Sequence, residues 1–212
     1  MDMDIIFAHN QADVDYFKGL TRKKHVYQNS SLMITDNIKP HIVNPDARDG
    51  VIIGGNMVRW YGGFDSYVVA QEFGEDIYAP SMGRKIKREE EMDITHLPYM
   101  TWIDWMNNLS QYHSAVHLMP THAAGTFTLN CAFHGIPCIG YKGLDTQEEL
   151  HPLLSVDDGD MDTAIKLAKK LKDDKFYEEC SIMCRENYKK SMYTEERCSD
   201  YLEMIFEDLY NE

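Results

Sequence analysis

The chain has 212 residues, 43% of them hydrophobic and 26% charged, and its formal net charge is −14. That is enough apolar material for one good core, and it excludes a disordered chain. A surface so acidic is repelled by nucleic-acid phosphates and by anionic lipid, so neither is expected as a partner.

No stretch approaches the roughly 18 to 20 apolar residues that a membrane-spanning helix needs. The start, Met1-Asp2-Met3-Asp4-Ile5-Ile6-Phe7, lacks the basic region of a signal peptide. The expected location is the cytoplasm, and Cys131, Cys138, Cys180, Cys184 and Cys198 are read as reduced thiols.

Taken in chain order, Ile5 to Ala8 reads as a short buried strand, followed by helical spacing from Asn10 to Leu20. His25 to Tyr27 and Leu32 to Ile34 read as extended pieces. Asp36 to Gly50 is turn chemistry throughout (Asn37, Pro40, Asn44, Pro45, Asp46, Asp49, Gly50) and marks a linker. Val51 to Ile53 starts a new strand, closed by Gly54-Gly55-Asn56. Asp65 to Phe73 is read as a helix, Asp76 to Pro80 as a strand and Ile94 to Tyr99 as a weaker one. Trp102 to Gln111 carries helical spacing, and Ala115 to Met119 is a strand ending at Pro120. Thr126 to His134 is a helix stopped by Gly135, and Ile136 to Gly140 is the next strand, with its proline near the start. Helices follow at Met161 to Leu171, Phe176 to Tyr193 and Glu195 to Leu209. Strands alternating with helices from Val51 onward predict an α/β fold with an open, mostly parallel sheet and helices on both faces.

Ligands of such sheets bind beyond the carboxyl ends of the strands, where the strand order reverses. Two strand ends here are glycine-marked, at Gly54-Gly55-Asn56 and at Thr121 to Gly125. Glycine allows close backbone approach, and a following helix start offers free N–H groups and a positive dipole end. That combination suits a diphosphate. Thr126 or Thr128 can add a hydroxyl, and Asn130, four residues after Thr126, shares its helical face.

With these residues in view, the sequence resembles the C-terminal domain of GT-B-fold glycosyltransferases, especially glycosyltransferase family 4. The resemblance rests on His117-Leu118-Met119-Pro120, Gly125-Thr126-Phe127 and His134-Gly135-Ile136-Pro137-Cys138-Ile139. Weaker support comes from Gly54-Gly55-Asn56 through Gly63-Phe64-Asp65, from Pro98 to Met119, and from Val156-Asp157-Asp158-Gly159-Asp160. It implies a Rossmann-like donor-binding domain over residues 51–194. Residues 1–50 would be the end of an N-terminal domain plus linker, and residues 195–212 a helix crossing back toward that domain. Most of the acceptor-binding domain would then be missing.

The activity implied is transfer of a sugar from a nucleotide-diphosphate sugar to an unknown acceptor, with retention of configuration and without a metal or cofactor. The donor-binding set implied is Gly54, Gly55, Asn56, Arg59, His122, Ala124, Gly125, Thr126, Phe127 and Asn130, with Arg84, Lys85, Asp145, Thr146 and Gln147 as further candidates. No catalytic residue is assigned. The family carries two glutamates at the positions of His122 and Asn130. Gly62 stands where lysine is usual, and Arg59 is the candidate substitute. A solvated loop is the competing reading of Arg84-Lys85-Ile86-Lys87-Arg88, and a turn that of Asp145 to Gln147. Zinc ligation by His113, His117, His122 and His134 is not expected, since spacing alone shows no convergence. Two other functions fit the same architecture: a sugar-nucleotide epimerase, and a non-catalytic nucleotide-sugar-binding or interaction module.

Overall fold

In a computed structural model, residues 5–21, 25–29, 32–33, 35, 38, 47–80 and 86–211 are described. Ile34, most of the linker at 36–46, and Arg84 and Lys85 lie outside them.

The chain opens with β1 (Ile6–Ala8), α1 (Gln11–Leu20) and β2 (Val26–Gln28). The two strands pair in parallel with Ile6 opposite Val26, and α1 covers them by burying Val14 against Ala8 and Val26. Leu32 and Met33, expected to be extended, form no strand.

The larger unit runs β3 (Val51–Ile53), α2 (Gly63–Ala70), β4 (Ile77–Ala79), β5 (Thr95–His96), α3 (Trp102–Leu109), β6 (Ser114–His117), α4 (Thr126–His134), β7 (Cys138–Tyr141), α5 (Asp145–Leu150), β8 (Ser155–Val156), α6 (Met161–Lys170) and α7 (Asp174–Lys190). Its strands lie in the order β5-β4-β3-β6-β7-β8, every pair parallel. The chain builds outward from β3 on one side, then crosses over and builds outward from β6 on the other. The order therefore reverses between β3 and β6.

Strand periodicity sends alternate residues to opposite faces. Val51, Ile53, Val116 and Ile139 pack with residues of α2 and α6 on one face. Ile52, Ala115 and Cys138 pack with α3, α4 and α7 on the other. Both faces are covered, which is why these strands read as unbroken apolar runs.

Helix ends follow local chemistry. Thr101 caps α3 by accepting from the Asp104 N–H at 3.3 Å, and Asp160 caps α6 by accepting from the Thr163 N–H at 3.0 Å. Gly135, at φ 67°, ends α4 in the left-handed region. The Ile136 N–H donates to Cys131 O at 2.9 Å and the Gly135 N–H to Ala132 O at 3.0 Å, a Schellman closure. Arg48, at the end of the linker, is buried and reaches the same helix end, donating to His134 O at 2.6 Å and Gly135 O at 3.0 Å. A cation there meets the negative end of the helix dipole.

The last helix, α8 (Glu195–Tyr210), buries Cys198 and Ile205. Asp145, at the start of α5, joins the small unit to the large one. Its carboxylate accepts from the Gln11 N–H at 2.7 Å and from the Gln28 amide, and its N–H donates to Asn10 Oδ1 at 3.3 Å. Among the described residues, no helix is long and apolar enough to cross a membrane.

Candidate nucleotide site

The crevice at the β3/β6 reversal is built from two loops and one helix start. After β3, Gly55 takes φ 77° and the Asn56 side chain folds back, its Oδ1 accepting from the Val58 N–H at 3.1 Å. The loop then turns through Gly62 at φ 62° into α2. A Cβ on Gly62 would run into the Leu118 carbonyl. The lysine expected at this position therefore has no room here. Gly54 is equally confined, since a Cβ would lie 2.5 Å from Cδ2 of His117 and 2.8 Å from Cδ1 of Phe127. Gly54 serves close packing, and Gly55 is the glycine that faces the crevice.

Between β6 and α4 the chain runs through Thr121, His122, Ala123 and Ala124 to Gly125. Thr121 Oγ1 donates to Trp60 O at 2.7 Å, which ties this loop to the one after β3. The Ala123 carbonyl accepts from Asn10 at 3.1 Å. Gly125 takes φ 66°, and the Thr146 hydroxyl occupies the space its Cβ would need. Its carbonyl accepts from Thr128 Oγ1 at 2.9 Å and Thr146 Oγ1 at 3.1 Å. These two hydroxyls are thus spent on the loop, and Thr126 is left as the exposed hydroxyl at the helix start. Gly125 gives α4 no side-chain cap, and the first turn carries no acid. The first N–H groups of the helix, which have no partner within it, therefore open on the crevice.

Beside this helix start lies a cavity of about 230 Å³, lined by Gly55, Pro80, Leu97, Pro98, Tyr99, Met100, Trp105, Thr126, Phe127 and Asn130. Most of that lining is carbon, with proline and aromatic faces suited to a flat ring. A second cavity of about 570 Å³ is larger, but it is lined by Asp49, Glu75, Asp76 and Asp93 at the amino ends of the strands. Burial and then the Asp49 charge raise the pKa of Glu75, so that cavity is already crowded with negative charge and repels a phosphate.

Of the residues implied by the resemblance, Gly55, Thr126, Phe127 and Asn130 meet in one cavity wall. Asn56, Ala124 and Gly125 shape the adjoining loops. His122 is exposed and lies over Gly143, where a Cβ would meet its Nε2. Arg59 stands in a 3-10 turn after β3, and its side chain lies outside the described residues, as do Arg84 and Lys85. Asp145 is occupied by the small unit. Gln147 is fully buried and donates to Cys138 O at 3.0 Å, so it braces β7.

His117 was not among the site residues read from the sequence. Its ring packs on Gly54 and lies 5.1 Å from that of Phe127, and its Nδ1 is buried without a partner. Burial pushes its pKa down to about 4, which keeps a neutral imidazole under the crevice. Among the described residues, no three His, Cys, Asp or Glu side chains are grouped to hold a metal.

The parallel sheet, the β3/β6 reversal and the helices on both faces define a Rossmann-like architecture. Solved structures with the same fold are GT-B glycosyltransferases. WaaG, a glycosyltransferase involved in lipopolysaccharide biosynthesis, superposes with a TM-score of 0.72 at 9% identity, over 90% of this chain and 59% of that one. TarM gives 0.71 at 11% identity, over 96% of this chain and 43% of that one. HepE of Anabaena, solved in complex with UDP-glucose, gives 0.70 at 10% identity, over 99% of this chain and 64% of that one. At these identities the likeness is one of fold, and the chain spans roughly half the length of the structures it matches. No protein-family model and no curated protein matches the sequence.

Proposed function

We propose that the chain is the donor-binding portion of a glycosyltransferase, which moves a sugar from a nucleotide-diphosphate sugar to an acceptor held by a second domain. The observation that carries this reading is the α4 start: uncapped, free of acid, glycine-headed and set beside an apolar cavity at the strand-order reversal. The diphosphate would lie on the first N–H groups of α4 with the Thr126 hydroxyl, and the base in the cavity lined by Pro80, Leu97, Tyr99 and Trp105. As the glycosidic bond breaks, charge builds on the leaving diphosphate. The helix dipole and Arg59 would stabilise it there, so no metal is required. Retention of configuration follows the family resemblance. Fold neighbours solved with UDP-glucose, or with UDP and GlcNAc, support a nucleotide sugar as the ligand. The exposed Trp60 and Phe64 would face the acceptor side. Residues 1–50 would close one domain and α8 would return toward it.

A binding module without turnover is the second reading, favoured by His122 and Asn130 standing where the family has glutamates. Calorimetric titration with UDP, GDP and their glucose and N-acetylglucosamine conjugates tests both. Saturable binding of at least one is expected, and failure of all six to bind overturns both readings. Hydrolysis or transfer of the bound donor separates the enzyme from the module.

A further inference from the structure

The helices α1 and α5 exchange caps. Asn10 stands in the capping position of α1, yet its side chain makes no cap bond to that helix. The free Gln11 N–H donates instead to the Asp145 carboxylate at 2.7 Å, across to the larger unit. Helix α5 in turn begins after Leu144, whose side chain has nothing to accept with. The free Asp145 N–H donates to Asn10 Oδ1 at 3.3 Å. Asp145 thus satisfies the first N–H of α1, and Asn10 that of α5. The small unit has a slight core of its own, Ala8, Val14 and Val26 with Ile6 and Phe17 packed against it, and so depends on its ties to the larger one.

The same pair reaches the loop that leads into α4. Asn10 is only 3% exposed. Its Nδ2 donates to Ala123 O at 3.1 Å and to the Asp13 carboxylate at 3.2 Å, so both donors and the oxygen are engaged. Thr146, the neighbour of Asp145, donates to Gly125 O at 3.1 Å. A trans peptide carries its N–H opposite its C=O. Holding the Ala123 and Gly125 carbonyls therefore sets the direction of the Ala124 and Thr126 N–H groups, at the helix start that suits an anion.

We propose that Asn10 and Asp145 couple the docking of the β1–α1–β2 unit to nucleotide affinity, by holding the α4 start in the shape that receives a diphosphate. Resting on the donor-binding reading, this adds a control to the same site. Both are positioning residues, acting on the ligand through Ala123 and Gly125. Charge alone would act the other way. Asp145 is an acid near an anion site, so its removal would tighten the nucleotide if electrostatics were its only influence.

The test is calorimetric titration of the full chain with UDP, GDP and their glucose and N-acetylglucosamine conjugates. Whichever binds is carried to two variants. Asp145→Ala removes the oxygen to which the Gln11 N–H and the Gln28 amide both donate, and Asp145→Asn keeps one there. Asp145→Ala is expected to weaken binding by about fivefold or more, and Asp145→Asn to stay within about threefold of the unaltered protein. A smaller loss, or tighter binding, by Asp145→Ala overturns the proposal and leaves the donor reading intact. Equal weakening by both variants overturns it as well, since Asn retains the acceptor. If none of the six binds the unaltered chain, the donor reading falls and the proposal with it.

Should Asp145→Ala fail to fold, as read by its thermal melt, hydrogen exchange in the unaltered chain reports the same coupling. Coupling between two sites is reciprocal, so saturating nucleotide should slow exchange of the Gln11 amide by about fivefold or more. Unchanged exchange there overturns the proposal.

Discussion

At Gly125 two constraints coincide: a backbone φ of 66°, and the Thr146 hydroxyl in the space of a Cβ. Alanine there meets both penalties, so Gly125→Ala should destabilise the protein by about 2 kcal/mol or more, read as a lower urea midpoint at unchanged slope. The buried histidines make a prediction about acid. Burial pushes His117 and His151 down to about 4. His151 is placed by its Nε2 against Thr128 O at 3.0 Å and its Nδ1 near the Cys138 N–H at 3.4 Å. In the unfolded chain both return to an ordinary histidine value near 6.5. A neutral buried imidazole costs nothing above that value. Below it the unfolded state takes up protons that the folded state refuses, so stability falls from about pH 6.5 down to about pH 4, by roughly 3 kcal/mol for each ring. Urea unfolding at pH 7.5 and 4.5 should show the loss, and His117→Phe should lose less between the two than the unaltered protein. His117 entered the sequence reading only within the resemblance segment and as a rejected zinc ligand, because a single histidine in an apolar strand does not by itself mark a place under a crevice. The exchange of caps between Asn10 and Asp145 was hidden, since its partners belong to different helices.

Among the elements, α4 was the most legible, because Gly125 and Gly135 bracket it and both take left-handed conformations. Strand β3 was clear for another reason, a run of β-branched residues buried on both faces. The misses have physical causes too. Helix α5 (Asp-Thr-Gln-Glu-Glu-Leu) has no apolar period, and it holds because Thr146 and Gln147 are buried against Gly125 and β7. Strand β8 has only two residues, too few for any alternation, and β5 is shorter than the read Ile94 to Tyr99. The segment before β3 read as linker, yet it ends in a buried guanidinium clamped to the carboxyl end of α4. Arg48→Ala leaves those carbonyls without that partner and should cost about 2 to 3 kcal/mol, measured by chemical denaturation. Arg48→Lys should recover only part, because a single ammonium does not reproduce the fork that reaches both oxygens.

For the molecule as a whole, the parallel α/β class was readable from alternating elements, and the candidate site was suggested by two glycine-marked strand ends. The strand order was not, since nothing in a sequence states which strands become neighbours. That order, with β3 and β6 side by side at the centre, has a kinetic consequence. Val51 pairs with Ser114, so the crevice brings together segments far apart along the chain. Long loops must close before it exists, and such pairings form slowly. On the proposed donor-binding reading, a nucleotide finds no site on a chain still folding, so it should leave the refolding rate unchanged and slow unfolding. Stopped-flow refolding and unfolding with and without saturating UDP would read this as a shift of the unfolding limb alone. At about 100 times its dissociation constant, the ligand should slow unfolding about 100-fold, matching roughly 2.7 kcal/mol of added stability. The strand crossover that shapes the crevice would thereby make a small ligand a brake on the loss of the fold.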